Sequence, residues 1–245
     1  MKSNAGIAFV LLSGGIDSTT CLFEAVKERD LGNFTDVLAV GINYGQRHVK
    51  ELESAAASCN KLDVAQMIIA PKDIFPTTML TDSSVELPNA SYDDLPEGVS
   101  PTYVPFRNGT MLSLITAQAQ GYIEATNKIR KSRGGTPLRE SAIYYGAHAE
   151  DAANWAYPDC TPEFNGAMAN AIFIGTYYQI RLHTPLQWMT KDEIIAKGTK
   201  LGVEWRNTWS CYDGKDLHCG TCPTCRARKQ AFADASVYDP TMYSS

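Results

Sequence analysis

The stretch SGGIDST, residues 13–19, places two glycines, three hydroxyl side chains and a carboxylate directly after the apolar run of residues 5–12. Adjacent glycines let the backbone turn sharply and bring its N–H groups close to a ligand. A helix that begins at this turn adds the partial positive charge of its N-terminus, and hydroxyl groups donate hydrogen bonds to phosphate oxygens. The stretch therefore predicts a phosphate-binding loop. The alternative is an ordinary turn in which Asp17 caps the helix.

Asp17 is the unusual member of this loop. A carboxylate beside a phosphate is repulsive unless a cation lies between the two groups, so Asp17 predicts Mg²⁺ as a cofactor. The loop also lacks the lysine and the spacing of GxxxxGK[ST] and the third glycine of GxGxxG. It therefore matches neither of the two commonest glycine-rich phosphate loops.

A second group of chemically active residues lies near the end of the chain, where Cys211, Cys219, Cys222 and Cys225 fall within fifteen residues. Four thiolates at short spacing are typical of tetrahedral Zn²⁺, which is structural when the protein fills all four positions. An iron–sulfur cluster is the alternative, because Cys-x2-Cys-x2-Cys also occurs in ferredoxins, but the long spacing before Cys219 favours zinc. We expect His218 to face solvent rather than to replace one of the ligands.

The elements that must position these residues alternate between strand and helix. Continuous apolar runs predict buried parallel strands, and this rhythm indicates an α/β fold with a doubly wound, Rossmann-like parallel sheet. In such a sheet, ligands bind at the carboxyl ends of the strands. The predicted strands cover residues 5–12, 37–42, 66–70, 142–147 and 180–183, and the predicted helices run from the loop to residue 29 and over 51–62, 108–126, 164–174 and 190–201.

Two further features bear on the organisation of the chain. Thr190, followed by Glu193, predicts a capping box at the start of the last of these helices. Residues 76–103 carry four prolines and no clear pattern, which is typical of a lid, a binding loop or a disordered segment. We expect one α/β domain over residues 1–205 and a small zinc-binding segment, residues 206–245, packed on it.

Composition excludes several classes of protein. The formal net charge is −5, so no overall field attracts the chain to nucleic acid or to anionic lipid, and we expect no nucleic-acid partner. No apolar stretch approaches the about 20 residues of a membrane span, and a cleaved signal peptide would remove the first strand. We expect a cytoplasmic protein. A local basic group is interpreted as a solvated loop: Lys128, Arg130, Lys131, Arg133 and Arg139.

The first loop resembles the SGGxDS signature of the PP-loop ATP pyrophosphatase superfamily. The resemblance implies that the loop holds the β,γ-pyrophosphate of ATP while a substrate oxygen attacks the α-phosphorus. Pyrophosphate then leaves and the substrate becomes an adenylate. The implied ATP-binding residues are Leu12, Ser13, Gly14, Gly15, Ile16, Asp17, Ser18, Thr19 and Thr20.

Three further motifs make the resemblance more specific. YGQRH at residues 44–48, YPDC at residues 157–160 and the cysteine segment together resemble the 7-cyano-7-deazaguanine synthase family of the queuosine and archaeosine pathways, over about residues 5–232. The resemblance implies that ATP activates 7-carboxy-7-deazaguanine, that ammonia converts the acyl-adenylate to an amide, and that a second ATP drives formation of the nitrile. It also implies a homodimer.

The same resemblance implies roles for individual side chains. The implied catalytic residues are Asp17, Arg107 and Lys191; Arg107 would clamp phosphate, and Lys191 would approach the triphosphate. For each such residue, the alternative is a structural hydrogen bond or ion pair. The implied substrate-binding residues are Gln46, Arg47, His48, Asn108, Asp151, Tyr157 and Asp159.

The chain also departs from the family pattern. Phe106 stands where the family usually has glycine, Thr161 stands where it usually has arginine, and residues 127–141 look like an insertion. These departures leave open an amide-forming ligase that acts on the same deazapurine. A PP-loop tRNA-modifying enzyme is a further alternative, which adjacency of Cys21 and Cys160 would favour. The alternative that is not an enzyme is a degenerate nucleotide-binding module whose fold is stabilised by zinc.

Overall fold

The computed structural model describes residues 4–46, 50–71, 74–82, 84, 102–148, 150–151, 157–213 and 215–244. Arg47, His48 and most of the proline-rich segment of residues 76–103 lie outside these ranges. The strands are β1 Gly6–Leu11, β2 Phe34–Ile42, β3 Ala65–Ile69, β4 Ser141–Tyr144 and β5 Ile180–His183. The helices are α1 Ile16–Asp30, α2 Lys50–Leu62, α3 Arg107–Ser132, α4 Pro162–Gly175, α5 Lys191–Leu201 and α6 Pro223–Asp234.

The five described strands form one sheet in the order β3-β2-β1-β4-β5, and every pairing between neighbours is parallel. The strand order reverses between β1 and β4, so the loops that follow these two strands leave the sheet in opposite directions. A crevice opens at such a switch point, outside the carboxyl ends of the strands. The predicted phosphate loop follows β1 and therefore lies at this crevice.

Helices cover both faces of the sheet, which confirms the doubly wound α/β fold. Successive side chains of a strand point to opposite faces, so β1 contributes to two separate cores. Ala8 and Val10 belong to a core that contains buried residues of α1, α5 and α6. Ile7 and Phe9 belong to a core that contains buried residues of α3 and α4.

The C-terminal segment packs on the sheet domain through this first core. The rings of Trp205 and Phe232 meet edge to face, with centroids 5.5 Å apart, and both are buried beside α1 and α5. The guanidinium of Arg228 is fully buried and donates to the carboxylate of Asp239, to the hydroxyl of Thr208 and to the carbonyl oxygen of Trp205. The boundary between residues 205 and 206 stays a prediction.

Two helices differ from the sequence-based expectation. Helix α3 continues to Ser132, so six of the fifteen residues of the predicted insertion are helical. Helix α6 was not predicted, because its sequence PTCRARKQAFAD is too polar to show an apolar face. The capping box of α5 is confirmed, since the backbone N–H of Thr190 donates to the Glu193 carboxylate at 3.0 Å. None of the described helices is both long and apolar enough to cross a bilayer.

Candidate functional site

The loop after β1 requires glycine at position 14. Gly14 has a φ of +96°, which L-residues with a side chain rarely adopt, and a Cβ atom built there would lie 2.0 Å from the carbonyl oxygen of Glu51 on α2. Gly15 is different: its φ is −76°, and a Cβ atom would make only ordinary contacts at 3.5 Å or more. Close packing of α2 against the loop therefore explains the first glycine of the pair.

The hydroxyl of Ser18 holds the loop in shape. Its Oγ accepts hydrogen bonds from the backbone N–H groups of Ser13 and Gly14, both at 3.2 Å. Among the residues that the structure describes, no side chain caps the first turn of α1, whose N-cap residue is Gly15. The first N–H groups of a helix have no partner within it, so this uncapped end can receive an anion.

The other residues of the predicted ATP-binding set have mixed placements. Ser13 is exposed and Asp17 is partly exposed at the crevice, whereas Leu12, Ile16, Thr19 and Thr20 are buried. The hydroxyl of Thr20 donates to the carbonyl oxygen of Ile16 at 2.9 Å. The buried residues can reach a nucleotide only through their backbone.

Asp17 and Lys191 meet across the crevice, as the sequence-based assignment of both to one site requires. Nζ of Lys191 lies 3.2 Å and 3.0 Å from the two carboxylate oxygens of Asp17. Lys191 is the first residue of α5, so the capping box of that helix fixes its position. Burial would lower the pKa of Lys191, but the carboxylates of Asp17 and Asp151 outweigh burial and raise it. Lys191 is therefore a charged group held against the loop.

His148 completes this cluster and was missed in the sequence. Its Nε2 lies 2.8 Å from Nζ of Lys191, 3.2 Å from Asp151 and 3.8 Å from Asp17. The side chain is fully buried, and Nδ1 has no hydrogen-bond partner among the described residues. Burial would lower the pKa of His148, but the carboxylates of Asp151 and Asp17 raise it above its ordinary value. The same contact holds the pKa of Asp151 well below its usual range, against the effect of burial.

Gly146 explains how His148 reaches the site, and it is also the sequence signal that could have identified His148. A Cβ atom at Gly146 would lie 3.1 Å from backbone atoms of Asp17 and Ser18. The loop after β4 therefore packs directly on the first turn of α1 and brings His148 to Asp17. A glycine followed two residues later by a histidine, just after a buried strand, was the available signal.

Asn108, Asp159 and Cys160 form a buried group at the start of α3. The backbone N–H of Asn108 donates to Oδ2 of Asp159 at 3.0 Å, and its side-chain amide donates to Sγ of Cys160 at 3.3 Å. Oδ1 of Asp159 has no hydrogen-bond partner among the described residues. Burial raises the pKa of Asp159 despite the Asn108 N–H and the charge of Arg107. One oxygen of this carboxylate is thus available to a donor.

Arg107 lies on the side of the crevice formed by β2 and α3. Its guanidinium and the hydroxyl of Tyr44 form a side-chain hydrogen bond. Gln46 is buried, and its amide group accepts from the N–H of Tyr44 and donates to the carbonyl oxygen of Ile42 and to Glu51. These contacts give Gln46 a structural role in its own turn; its role as a substrate ligand stays a prediction.

Two departures from the family pattern have local explanations. Phe106 has a φ of +51°, in the left-handed region that favours glycine, and its exposed ring packs on Phe164 with centroids 5.7 Å apart. Thr161 caps α4, because its Oγ1 accepts the N–H of Phe164 at 3.2 Å and donates to the carbonyl oxygen of Pro158 at 2.8 Å.

Tyr157, a predicted substrate-binding residue, is buried, and its hydroxyl lies within hydrogen-bond distance of the hydroxyl of Thr102.

The four cysteines of the C-terminal segment converge as predicted. Their Sγ atoms all lie within 4.8 Å of one another, and those of Cys219 and Cys225 are 3.9 Å apart. Backbone N–H groups point at the sulfur atoms: those of Asp213 and Cys219 lie 3.4 Å and 3.3 Å from Cys211 Sγ. Such N–H groups stabilise thiolates, so the donor set can hold a metal ion.

The expectation for His218 was wrong. Its ring is 5% exposed and lies between the rings of Trp209 and Tyr243, at centroid distances of 4.1 Å and 5.8 Å. Its Nε2 accepts the N–H of Ser210 at 3.1 Å. The last residues of the chain cover it, since the N–H of Ser244 donates to the His218 carbonyl oxygen at 2.8 Å. The position of His218 next to Cys219 in the sequence gives no indication that the C-terminal residues bury its ring.

Together, these features define a doubly wound α/β protein with a glycine loop and a charged cluster at its switch point, and with a cluster of four cysteines behind the loop that could hold a metal ion. Residues 7–236 match the family model described as "Queuosine biosynthesis protein QueC", and the chain belongs to this family.

Curated relatives cover almost the whole chain. A protein of Hahella chejuensis, named 7-cyano-7-deazaguanine synthase, is 37% identical over 241 residues, which is 97% of this chain and 93% of that protein. A protein of Thermoplasma volcanium with the same name is 35% identical over 97% of this chain and 90% of that protein. Among solved structures, NMN synthetase from Francisella tularensis has a TM-score of 0.45 at 12% identity, with 95% of this chain and 78% of that chain covered, a likeness too low to inform the site.

Proposed function

We propose that this protein converts 7-carboxy-7-deazaguanine and ammonia to 7-cyano-7-deazaguanine at the expense of ATP. In the first stage, a carboxylate oxygen attacks the α-phosphorus of ATP and pyrophosphate leaves. Ammonia then displaces AMP from the acyl-adenylate to give an amide. In the second stage, a further ATP activates the amide oxygen, and loss of AMP leaves the nitrile.

The observation that carries this proposal is the pairing of Asp17 with Lys191 directly beside the uncapped end of α1. A triphosphate needs backbone N–H donors, a fixed cation and a site for a metal ion, and this arrangement offers all three. Asp17 is the residue that would hold Mg²⁺, which supplies neutralisation of the charge on the departing pyrophosphate. Lys191 supplies a positive charge from the opposite side of the crevice.

Arg107 and Asp159 are the residues we assign to the substrate side of the crevice. The guanidinium of Arg107 stays charged at any working pH and can donate two parallel hydrogen bonds to a phosphate or carboxylate. The buried oxygen Oδ1 of Asp159 suits the N–H groups of a guanine-like base, because a buried acceptor needs a donor. We assign Asn108 and Tyr157 to the same side, and the assignments of Arg47, His48 and Asp151 to the substrate likewise remain predictions.

We propose that the four cysteines hold Zn²⁺ in a structural site. The edge of a tetrahedron with Zn–S bonds of about 2.3 Å is about 3.8 Å. The 3.9 Å between the sulfur atoms of Cys219 and Cys225 is close to that length. An iron–sulfur cluster would separate the thiolates further, since the cluster itself occupies the space between them.

Several further features belong to this proposal rather than to the observed geometry. Ammonia reaches the site as free ammonium or from a partner protein, and the active form is a homodimer. The protein acts on the free base and not on a nucleic acid, and it is cytoplasmic.

A release assay tests the adenylation step. The protein is incubated with MgATP with and without 7-carboxy-7-deazaguanine, and AMP and pyrophosphate are quantified. We expect both products only with the carboxylate present, and loss of both in the variant Asp17→Asn. Release that does not depend on the carboxylate would contradict the proposal, and an absence of both products with the carboxylate present would favour the alternative of a tRNA-modifying enzyme.

That alternative already lacks one structural support. Cys21 belongs to the core on the α1 side of the sheet and Cys160 to the core on the α3 side. The two thiols therefore lie on opposite faces and do not form a pair.

A second candidate function is an amide-forming ligase on the same deazapurine. It is favoured by Thr161, whose hydroxyl is occupied in capping α4 and carries no charge where the family pattern has arginine. The exposed ring of Phe106 beside Arg107 also changes the mouth of the crevice. Accumulation of the amide as the end product would identify this function.

A further inference from the structure

The backbone of Trp209 touches both glycines of the predicted phosphate loop. Its N–H donates to the carbonyl oxygen of Gly14 at 2.9 Å, and its own carbonyl oxygen lies 3.6 Å from the position that a Cβ atom would take at Gly15. A trans peptide is planar, so its C=O and N–H groups point in opposite directions. The bond to Trp209 therefore fixes the direction of the Gly15 N–H, which lies on the exposed side of the loop at the start of α1.

Regular secondary structure does not hold Trp209 in place. Residues 208–211 belong to neither a helix nor a strand, so the position of this backbone depends on individual hydrogen bonds. Arg228 on α6 makes two of them, one on each side of Trp209. Its Nη1 lies 2.8 Å from the hydroxyl of Thr208 and 3.3 Å from the hydroxyl of Ser210. One guanidinium nitrogen thus holds both neighbours of the residue that contacts the loop.

The carboxylate of Asp239 holds this guanidinium in turn. Nε and Nη2 of Arg228 donate to it at 3.3 Å and 3.2 Å, and the hydroxyl of Tyr243 donates to it at 2.6 Å. Burial would raise the pKa of Asp239, but the charge of Arg228 lowers it, so this carboxylate stays ionised. A buried guanidinium is costly unless its charge and its N–H groups are paired, and Arg228 is 1% exposed. Pairing with Asp239 therefore keeps Nη1 facing Thr208 and Ser210.

We propose that Arg228, held by Asp239, is a positioning residue for the loop that binds ATP; this inference rests on the proposed function. The contacts run from Arg228 to the two residues that flank Trp209, and from Trp209 to the carbonyl oxygen of Gly14. Arg228 thereby aims the Gly15 N–H before the nucleotide arrives, which lowers the cost of ordering the loop on binding. Loss of Arg228 weakens the binding of ATP and leaves the binding of the base unchanged.

Two substitutions cut these contacts at different points. Arg228→Met keeps a long unbranched side chain and removes every donor of the guanidinium. Thr208→Val keeps the shape of the side chain and removes the hydroxyl that accepts from Nη1, while Arg228 stays paired with Asp239. The control for a general loss of stability is Ile123→Ala, because Ile123 is buried in the core on the α3 side of the sheet, away from α6.

Titration calorimetry measures the affinity of each variant for a non-hydrolysable ATP analogue and for 7-carboxy-7-deazaguanine, with urea denaturation and metal analysis of the same samples. We expect the affinity of Arg228→Met for the ATP analogue to fall about tenfold, which corresponds to about one lost hydrogen bond. In Thr208→Val the fall is about threefold, because Ser210 still accepts from Nη1. Both variants keep the wild-type affinity for the base and the wild-type metal content. Ile123→Ala loses stability and keeps both affinities.

Three outcomes would overturn the inference alone. One is an unchanged affinity for the ATP analogue in both variants, or in Thr208→Val if Arg228→Met does not fold. Another is an equal loss of that affinity in Ile123→Ala, which is the result of reduced stability. The third is a loss of affinity that occurs only together with loss of the metal. Wild-type protein that binds no ATP analogue would instead refute the proposed function, and the positioning role with it.

Discussion

The backbone N–H of Trp209 donates a hydrogen bond to the carbonyl oxygen of Gly14 at 2.9 Å, and so joins the cysteine segment to the phosphate loop. Trp209 lies two residues before Cys211, and its indole N–H donates to the Cys211 carbonyl oxygen at 2.8 Å. Lys50 adds a second link, since it pairs with Asp216 and lies 5.8 Å from the ring of Trp209. The loop is thus held between α2 and the cysteine segment.

This link predicts that loss of the metal weakens ATP binding at a distance. The variant Cys225→Ser removes one of the four thiolates, so the backbone before Cys211 is no longer fixed by a bound metal. We therefore expect the affinity for a non-hydrolysable ATP analogue to fall about tenfold, or about 1.4 kcal/mol. Titration calorimetry, together with metal analysis, measures this effect. The matched control is Cys59→Ser, a buried cysteine of α2 outside the cluster, which keeps the metal and the affinity. Metal loss with unchanged affinity would contradict the link.

The two loop glycines give a paired test of the loop geometry. Gly14→Ala forces a side chain into positive φ and against the carbonyl oxygen of Glu51, so we expect a loss of at least about 2 kcal/mol in the free energy of unfolding. Gly15→Ala meets neither problem and stays close to wild type. Urea denaturation of both variants checks this difference. Equal stability of the two variants would show that the loop has another conformation.

Position 106 tests the strain that the left-handed backbone implies. At an ordinary helical position alanine is more stable than glycine by about 1 kcal/mol. With a φ of +51° at Phe106, the order reverses, and we expect Phe106→Gly to be more stable than Phe106→Ala by about 1 kcal/mol. Both variants lose the contact with Phe164, so that loss cancels in the comparison. A more stable alanine variant would refute the assigned conformation.

The raised pKa of His148 predicts a pH-dependent contribution to stability. Because the folded-state pKa lies above the ordinary value of 6.5, the contribution is fully present below that pH and is lost as the pH rises through the folded-state pKa. We therefore expect the difference in free energy of unfolding between wild type and His148→Gln to be larger near pH 6 than near pH 9.

His183 provides a control, because we expect its contribution to the free energy of unfolding to change with pH in the opposite direction. Burial lowers its pKa, so its contribution is lost as the pH falls, and the difference between wild type and His183→Gln should be larger near pH 9 than near pH 6. Urea denaturation at several pH values measures both differences. A difference for His148→Gln that is constant or grows with pH would contradict the assigned cluster.

Local patterns predicted the parts of the site that depend on neighbouring residues in the sequence. The glycine loop after β1, the capping box of α5 and the four cysteines are each encoded within fifteen residues, and the structure has them as predicted. Continuous apolar runs that alternate with helical segments likewise predicted the parallel sheet. The residue roles themselves remain predictions.

The parts that were missed depend on residues distant in sequence. His148 reaches Lys191, 43 positions away, because the sheet order places the loop after β4 beside α1. His218 is buried because the end of the chain returns over it. Phe106 contradicts the usual preference for glycine at positive φ, and its sequence neighbours give no sign of that conformation. For the burial of His218 and the backbone of Phe106, only the assembled structure contains this information.

The mass of the base after incubation of the purified protein with 7-carboxy-7-deazaguanine, MgATP and ammonium is the most direct test of the proposed function. We expect the nitrile, with AMP formed in both stages. Accumulation of the amide would show that the second stage is absent and that the protein is an amide-forming ligase. Recovery of the unchanged carboxylate, without AMP, would contradict both stages of the proposed reaction.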